Sequence, residues 1–150
     1  MLKEGDKAPN FKGIDQNNEP IELSNFSKKK LILYFYPKDD TPGCTKDACN
    51  LRDNYDALTK NNFAVVGVSA DTSAKHTKFI SKYNLPLSLL ADTEKEVIKS
   101  YNCWGLKKFM GREYEGILRK TFVIENNTII KIFEKVKTTD HFNQITEALN

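Results

Sequence analysis

Two apolar runs of strand length constrain the fold of this chain more than any other feature. The first reads LILYFYP at residues 31–37, and the second reads FAVVGVS at residues 63–69. Continuous runs rich in β-branched and aromatic residues are typical of strands that are buried on both faces. Residues 42–60, between the runs, predict a helix because their apolar positions recur at three- and four-residue spacing. These positions are Ala48, Leu51, Tyr55 and Leu58. Strand, helix and strand with short links predict a βαβ unit with parallel strands.

The rest of the sequence extends this unit. Residues 1–27 alternate turn signals with short apolar pieces and predict a hairpin-like extension, whereas residues 102–120 are predicted to be irregular. Asn126-Asn127 is predicted to form a two-residue hairpin turn. Further strands are predicted at 86–92, 121–125 and 128–134, and further helices at about 74–83, about 94–101 and 139–149. The predicted class is α/β, with a central mixed β-sheet flanked by helices and an N-terminal β-hairpin extension.

Length and charge narrow the class of protein. The chain has 150 residues, which suits a single domain spanning 1–150. A net charge of +3 is too small to indicate a nucleic-acid partner. The N-terminus, Met1–Asp6, lacks the apolar segment of a signal peptide, and no apolar run approaches the length of a membrane span. We therefore expect a cytoplasmic protein with no nucleic-acid or membrane partner.

The stretch between the first strand and the following helix holds a cysteine in an unusual position. Pro37 ends the strand because proline has no N–H for the ladder. Thr41 followed by Pro42 is typical of a helix start, which places Cys44 in the first turn. Unpaired N–H groups and the helix dipole favour a negative charge there, and helix N-termini can lower the pKa of a thiol. Cys44 is thus the candidate nucleophile; the alternative is a small buried residue.

A second cysteine, Cys49, follows five residues later. On an ideal helix this spacing puts the two Cα atoms roughly 8.6 Å apart. A disulfide needs them within about 7 Å, so the bond can form only if the first turns unwind. The spacing therefore favours two thiols that react in sequence over a permanent cross-link. It does not favour zinc, because the remaining candidate ligands do not form a second pair. These are Cys103, His76 and His141.

Two stretches carry a resemblance to a known family. FYPKDDTPGCTKDAC at 35–49, together with WGLKKFMGREYEGILRKTF at 104–122, closely resembles the peroxiredoxins. The chain is most similar to the bacterioferritin comigratory protein, or peroxiredoxin Q, branch. The likeness extends from GDKAPNF near the start to the final helix. It implies a thioredoxin-like fold and a thiol peroxidase.

The resemblance also implies a reaction sequence. Cys44 matches the peroxidatic cysteine, whose thiolate attacks hydrogen peroxide or an organic hydroperoxide and becomes a sulfenic acid. Cys49 matches the resolving cysteine, which forms an intramolecular disulfide that thioredoxin reduces. The reactive group is the thiol itself, so no metal, haem or flavin is expected. A monomer is expected at the level of the family.

In the family, Pro37, Thr41 and an arginine that matches Arg119 complete the peroxide pocket. The chemistry agrees with these roles, since charge moves from sulfur to a departing oxygen and donors must face that oxygen. Thr41 can supply a hydroxyl as well as cap the helix, and Pro37 can shield the sulfur from water. The alternative for Arg119 is an ordinary surface residue.

The distance from Cys44 decides which arginine can supply the cation beside the sulfur. Arg52 lies about 12 Å along the helix from Cys44, which is too far. Arg119 is suitable if the strand at 121–125 runs antiparallel to the strand at 31–37, because its start then lies beside the end of the first strand. That orientation is what the resemblance implies.

Several nearby residues are given no catalytic role. Asp39, Asp40 and Asp47 would oppose a thiolate, and we expect them to face solvent. Cys103 is expected to be a buried small residue, with a second resolving thiol as the alternative. For the three apolar residues Trp104, Phe109 and Met110, ordinary packing is favoured slightly over an apolar collar above the site.

Two other functions remain open at this point. A thiol–disulfide oxidoreductase on a thioredoxin-like scaffold usually carries C-x-x-C, whereas this chain has C-x-x-x-x-C. A non-enzymatic binding or holdase module would use exposed apolar surface and would not require Cys44.

Overall fold

A computed structural model describes residues 1–149. The helices are α1 (Pro42–Asp53), α2 (Tyr55–Lys60), α3 (Ser73–Tyr83), α4 (Glu96–Ser100) and α5 (His141–Leu149). The strands are β1 (Lys12–Ile14), β2 (Pro20–Glu22), β3 (Lys30–Phe35), β4 (Phe63–Ser69), β5 (Ser88–Ala91), β6 (Trp104–Phe109), β7 (Arg112–Ile117), β8 (Lys120–Glu125) and β9 (Thr128–Phe133). Within residues 1–149 no helix combines the length and apolarity that crossing a bilayer requires.

The central sheet is mixed, as predicted. Its five strands lie in the order β5-β4-β3-β8-β9. β3, β4 and β5 are parallel, which confirms the βαβ unit, whereas β8 pairs antiparallel with both β3 and β9. The hairpin turn at Asn126-Asn127 is also confirmed, since both residues have positive φ (52° and 60°), as a type I′ turn requires.

The apolar run of β3 is buried on both faces of this sheet. Its side chains alternate between two hydrophobic clusters, with Leu31, Leu33 and Phe35 on one face and Ile32, Tyr34 and Tyr36 on the other. The N-terminal segment and α4 cover the first face, and α1, α2, α3 and α5 cover the second. Burying one such side chain fully stabilises the fold by about 1.5–3 kcal/mol.

The N-terminal hairpin extension is confirmed. β1 and β2 pair antiparallel and form a separate two-stranded sheet. The extension packs against the central sheet at Gly13, where an added Cβ would lie 3.2 Å from the Leu90 side chain. Phe11 and Ile21 from this segment are buried in the core.

One helix was predicted at 42–60, but the chain forms two. The break is at Asn54, whose backbone (φ −113°, ψ 13°) leaves the helical region. The Asn54 side-chain amide donates to the Asn50 carbonyl. Asparagine competes in this way with the backbone hydrogen bonds of a helix. Leu51 and Leu58 remain buried on either side of the break, so the periodic apolar face survives it.

The prediction that residues 102–120 are irregular is wrong. They contain a β6–β7 hairpin that turns at Met110 and Gly111, both with positive φ (51° and 80°). Most of its side chains are exposed on both faces, so the sequence lacks the polar–apolar alternation that marks a half-buried strand. The remaining strand and helix predictions agree with the structure to within two residues.

Candidate active site

The loop after β3 leads from the end of this strand to the start of α1. The Tyr36 amide makes the last ladder bond, to the Val68 carbonyl, and Pro37 follows. Thr41 is extended (φ −94°, ψ 157°) and Pro42 opens α1, as predicted. The predicted side-chain cap is absent, however: the Thr41 oxygen accepts no bond from the helix, and its hydroxyl donates to the Lys38 carbonyl at 2.9 Å. Thr41 thus closes the loop that precedes the helix instead of capping the helix itself.

Cys44 lies in the first turn of α1 and is 2% exposed. The guanidinium of Arg119 contacts it, with Nη2 3.3 Å from Sγ. The strand register explains this contact, because β8 runs antiparallel to β3 and Lys120 pairs with Phe35. A residue just before β8 therefore lies beside the end of β3. The orientation expected from the resemblance is confirmed.

Arg52 is excluded as the cation by its contacts as well as by its distance along α1. Its Nη1 donates to the Tyr83 carbonyl at 2.7 Å, and its Nε pairs with Asp53 at 3.0 Å. The side chain therefore ties α1 to the end of α3 and takes no part in the Cys44 site.

Asp47 was expected to face solvent, and this expectation is wrong. The residue is fully buried, with Oδ1 2.5 Å from Nδ1 of His141 and Oδ2 3.8 Å from Nη1 of Arg119. The His141 ring continues to Thr121, whose Oγ1 is 3.0 Å from Nε2. A signal was present in the sequence: Asp47 is three residues after Cys44 and four before Leu51, so it shares the buried face of α1.

Asp39 also departs from the expectation, since it is only 9% exposed. Its carboxylate accepts from the Tyr36 hydroxyl at 2.5 Å and lies 2.6 Å from Nδ1 of His76. Its backbone N–H donates to Asp71 at 2.8 Å. The potential ligand atoms of Asp39, Asp71 and His76 lie within 4.8 Å of one another. Since they are engaged in these hydrogen bonds, the geometry supports a loop anchor and not a metal site.

Asp40 is exposed, as expected, and forms a second anchor for the loop. Lys82 Nζ and the Tyr83 hydroxyl each lie 2.7 Å from its carboxylate oxygens. These hydrogen bonds, that from Lys82 first, lower the pKa of the Asp40 carboxyl below its ordinary value. The loop before Cys44 is therefore tied to α3 through both aspartates.

Cys49 lies farther along α1, partly exposed, and both cysteines are free thiols. Both also belong to the continuous helix Pro42–Asp53. Since i and i+5 positions of a helix are too far apart for a disulfide, this conformation holds the two sulfurs apart.

Cys103 agrees with the prediction of a buried small residue. It is fully buried, and its Sγ contacts the Tyr101 carbonyl at 3.5 Å. Burial raises the pKa of the Cys103 thiol to about 12. The thiolate is thus negligible at neutral pH, and the thiol is a poor nucleophile.

We expect Cys103 to resist alkylation in the folded protein. A raised thiol pKa means that the neutral form persists as pH increases, until the pH approaches 12. Iodoacetamide at pH 8 should label Cys44 and leave Cys103 unmodified, as peptide mapping by mass spectrometry would show. In guanidinium chloride, where burial is lost, Cys103 should be labelled. Rapid labelling of Cys103 in the native protein would contradict its assignment as an inert core residue.

Trp104, Phe109 and Met110 of the β6–β7 hairpin differ in their surroundings. Trp104 is partly buried against the core, whereas Phe109 and Met110 are 66% and 87% exposed. Ordinary packing, the favoured prediction, is therefore wrong for Phe109 and Met110. Lys107 of the same hairpin lies near the site: burial lowers its pKa, the Arg119 charge lowers it further, and Cys44 opposes both effects.

This arrangement suits nucleophilic chemistry at sulfur. A buried thiol lies beside a guanidinium at a helix start, where a cation and unpaired N–H groups can stabilise negative charge. The same donors face any oxygen that accepts negative charge beside the sulfur. A second thiol is available on the same helix once that helix opens.

Comparison with known proteins agrees with this chemistry. Residues 4–133 match the model of the AhpC/TSA family. Peroxiredoxin Bcp of Bacillus subtilis is 42% identical, over 97% of this chain and 93% of that protein. Peroxiredoxin Bcp of Escherichia coli is 41% identical, over 99% of this chain and 96% of that protein.

Solved structures share the fold over almost the whole chain. A cysteine-to-serine mutant of PrxQ from Xylella fastidiosa superimposes with a TM-score of 0.92 at 26% identity, covering 99% of this chain and 96% of that one. Peroxidoxin BcpB from Mycobacterium tuberculosis gives 0.86 at 28% identity, covering 99% and 97%. The fold is thus the thioredoxin-like fold of peroxiredoxins. The chain belongs to the AhpC/TSA family and, within it, to the Bcp or peroxiredoxin Q group of peroxiredoxins.

Proposed function

We propose that Cys44 is the peroxidatic cysteine of this thiol peroxidase, with Arg119, Thr41 and Pro37 forming its peroxide pocket. The observation that carries the proposal is the 3.3 Å contact from Arg119 Nη2 to a buried Cys44 sulfur at the start of a helix. A guanidinium in this place favours the thiolate and faces the oxygen that takes on charge when the peroxide bond breaks.

The first half-reaction then runs at sulfur. The Cys44 thiolate attacks the terminal oxygen of hydrogen peroxide or an organic hydroperoxide, so that an S–O bond forms as the O–O bond breaks. The electron pair leaves with the second oxygen, which takes a proton and departs as water or an alcohol. Arg119 donates to the oxygens during this transfer. Because the Thr41 proton is committed to the Lys38 carbonyl, its oxygen is suited to accept the peroxide O–H. Pro37, partly buried at the end of the sheet, limits access of water.

Cys49 is the proposed resolving cysteine. Its thiol attacks the Cys44 sulfenic sulfur, an S–S bond forms, and hydroxide leaves with the thiol proton as water. The step requires α1 to unwind between the two cysteines, since the intact helix keeps them apart. Unwinding also brings the buried Cys44 sulfur to the surface, where a protein reductant can reach the disulfide.

Thioredoxin is the proposed reductant, acting in the cytoplasm on a monomer of this chain. A dithiol protein can attack the surface disulfide, and a second thiol on that protein releases it as its own disulfide. In support of the monomer, Cys44, Cys49 and Arg119 belong to one chain, so the proposed steps require no residue from a second copy. Within residues 1–149 both hydrophobic clusters lie against one sheet, so we also propose that 1–150 acts as a single domain.

Mass mapping after one equivalent of peroxide tests this sequence of steps. We expect one new disulfide, between the peptides that carry Cys44 and Cys49, with Cys103 left as a thiol. Reduced thioredoxin should then restore both thiols, with the loss of reduced thioredoxin equal to the disulfide removed. A disulfide between two chains, or one that includes Cys103, would refute the resolving role of Cys49.

A further inference from the structure

Two buried polar atoms face each other beside the catalytic sulfur. Oδ2 of Asp47 and Nη1 of Arg119 have no hydrogen-bond partner among residues 1–149, and they lie 3.8 Å apart as an ion pair. Buried charges are normally paired and hydrogen-bonded because an unpaired buried charge is costly. Each of these two buried atoms is therefore balanced by the opposite charge of the other, although neither makes a hydrogen bond within residues 1–149.

The other oxygen of the Asp47 carboxylate, Oδ1, is held by a residue of α5. Nδ1 of His141, the first residue of α5, lies 2.5 Å from Oδ1, and both side chains are fully buried. The ring is fixed in turn by Thr121, 3.0 Å from Nε2, and by an edge contact with Tyr34, whose ring centroid is 6.0 Å away. The orientation of the carboxylate is thus set from the side opposite Arg119.

The planar guanidinium transmits this constraint to the sulfur. Nη2 of Arg119 contacts Cys44, while Nη1 of the same group faces Asp47. Because the guanidinium is rigid and planar, holding one nitrogen limits where the other can point. We propose that Asp47, fixed by His141, is the positioning residue that aims Arg119 at the Cys44 sulfur and at the oxygen leaving it, an inference that rests on the proposed peroxidatic role of Cys44.

The charge of Asp47 provides a distinctive test. A carboxylate one turn from Cys44 disfavours the thiolate, whereas its proposed hold on Arg119 promotes attack on peroxide. Removing the charge should therefore affect two reactions of the same sulfur differently. Alkylation by iodoacetamide needs the thiolate but no donor for a departing oxyanion. Reaction with peroxide needs both.

The primary variant is Asp47→Asn, which keeps an oxygen acceptor for His141 and removes the charge that faces Arg119. At pH 7, we expect the rate of Cys44 oxidation by hydrogen peroxide to fall by about tenfold to a hundredfold, the loss typical of a misplaced catalytic group. The rate of iodoacetamide alkylation should not fall. Asp53→Asn is the matched control, since it removes an exposed carboxylate from the same helix and should change neither rate. Parallel loss of both rates, or no change in either, would overturn the proposal.

Two further measurements separate positioning from simple support of the fold. In an Arg119→Lys background, which lacks the planar fork, Asp47→Asn should cause no additional loss of peroxide rate. His141→Asn keeps a side-chain N–H donor and should retain most of the peroxide rate, whereas His141→Leu should lose it without losing alkylation. Equal behaviour of the two His141 variants, or a full additional loss in the Lys background, would also overturn the proposal.

These outcomes are distinguishable from failure of the proposed function. If Cys44 were not peroxidatic, the unmodified protein would show no Cys44 sulfenic acid or disulfide after peroxide. If only the role of Asp47 were wrong, the unmodified protein would react at Cys44 and the Asp47→Asn ratio of the two rates would remain unchanged.

Discussion

Cys44→Ser is expected to lose peroxide turnover, with a fall in the thioredoxin-coupled rate of at least about a thousandfold. A serine hydroxyl stays protonated at neutral pH, and without a general base it is a weak nucleophile, whereas a thiolate is strongly nucleophilic. Among residues 1–149 the hydrogen bond to the Cys44 sulfur comes from Arg119, a donor that cannot accept a proton, so no base is hydrogen-bonded at this position.

The measurement is peroxide consumption with excess thioredoxin and its reductase. Because a hydroxyl is nearly isosteric with a thiol, the variant should keep the fold of the unmodified protein. Circular dichroism would check this. Cys103→Ala is the matched control, because it removes a cysteine that is equally buried but has a raised thiol pKa. It should retain turnover. If Cys44→Ser retained more than a small fraction of the rate, the sulfur at position 44 could not be the site of O–O cleavage.

Cys49→Ser is expected to oxidise once and then stop. Cys44 keeps its helix start and its Arg119 contact in this variant, so the first oxidation should proceed at close to the unmodified rate. The sulfenic acid then has no partner within the chain, because Cys103 is fully buried and protonated. A second equivalent of peroxide should carry Cys44 to the sulfinic acid, which thioredoxin does not reduce.

Two readouts follow the stalled species. A dimedone adduct on Cys44 should be found by mass spectrometry after one equivalent of peroxide, and a mass gain of two oxygen atoms after excess. Cys103→Ala, which leaves the Cys44 and Cys49 pair intact, should show the disulfide instead. Sustained cycling of Cys49→Ser with thioredoxin would mean that another thiol resolves Cys44. Comparing Cys49→Ser, Cys103→Ala and the double variant would show whether that thiol is Cys103.

The proposed resolving step requires α1 to unwind, so it depends on the contacts that hold this helix. Near Cys49 the helix is tied to its neighbours by a few polar contacts, among them Arg52 to the Tyr83 carbonyl and Asn50 to the Phe142 amide. The break at Asn54 limits α1 to twelve residues. A short helix depends on tertiary packing, and Cys44, Asp47 and Ala48 in this segment are buried. Unwinding between the two cysteines therefore gives up that packing and the contact of Asp47 with His141, besides helical hydrogen bonds.

Local patterns were sufficient to predict most of the fold. The runs that became β3 and β4 are continuous because both faces of each strand are buried, and the chemistry of Asn126-Asn127 specifies a tight hairpin turn. The β6–β7 hairpin gave no such signal. Its strands bury little on either face, so nothing in the order of polar and apolar residues distinguishes them from a loop.

The sequence by itself determined that a cysteine stands at a helix start, five residues before another that it cannot reach in a helix. Both conclusions depend only on local spacing, which the geometry of a helix converts directly into position. Local spacing did not determine what surrounds that sulfur: the family resemblance named Arg119, and only the tertiary structure showed Asp47 and His141. Arg119 reaches it through the antiparallel pairing of β3 and β8, and His141 reaches Asp47 across 94 residues of sequence. Spacing along the chain cannot predict such contacts, because they form only when separate elements pack on one sheet.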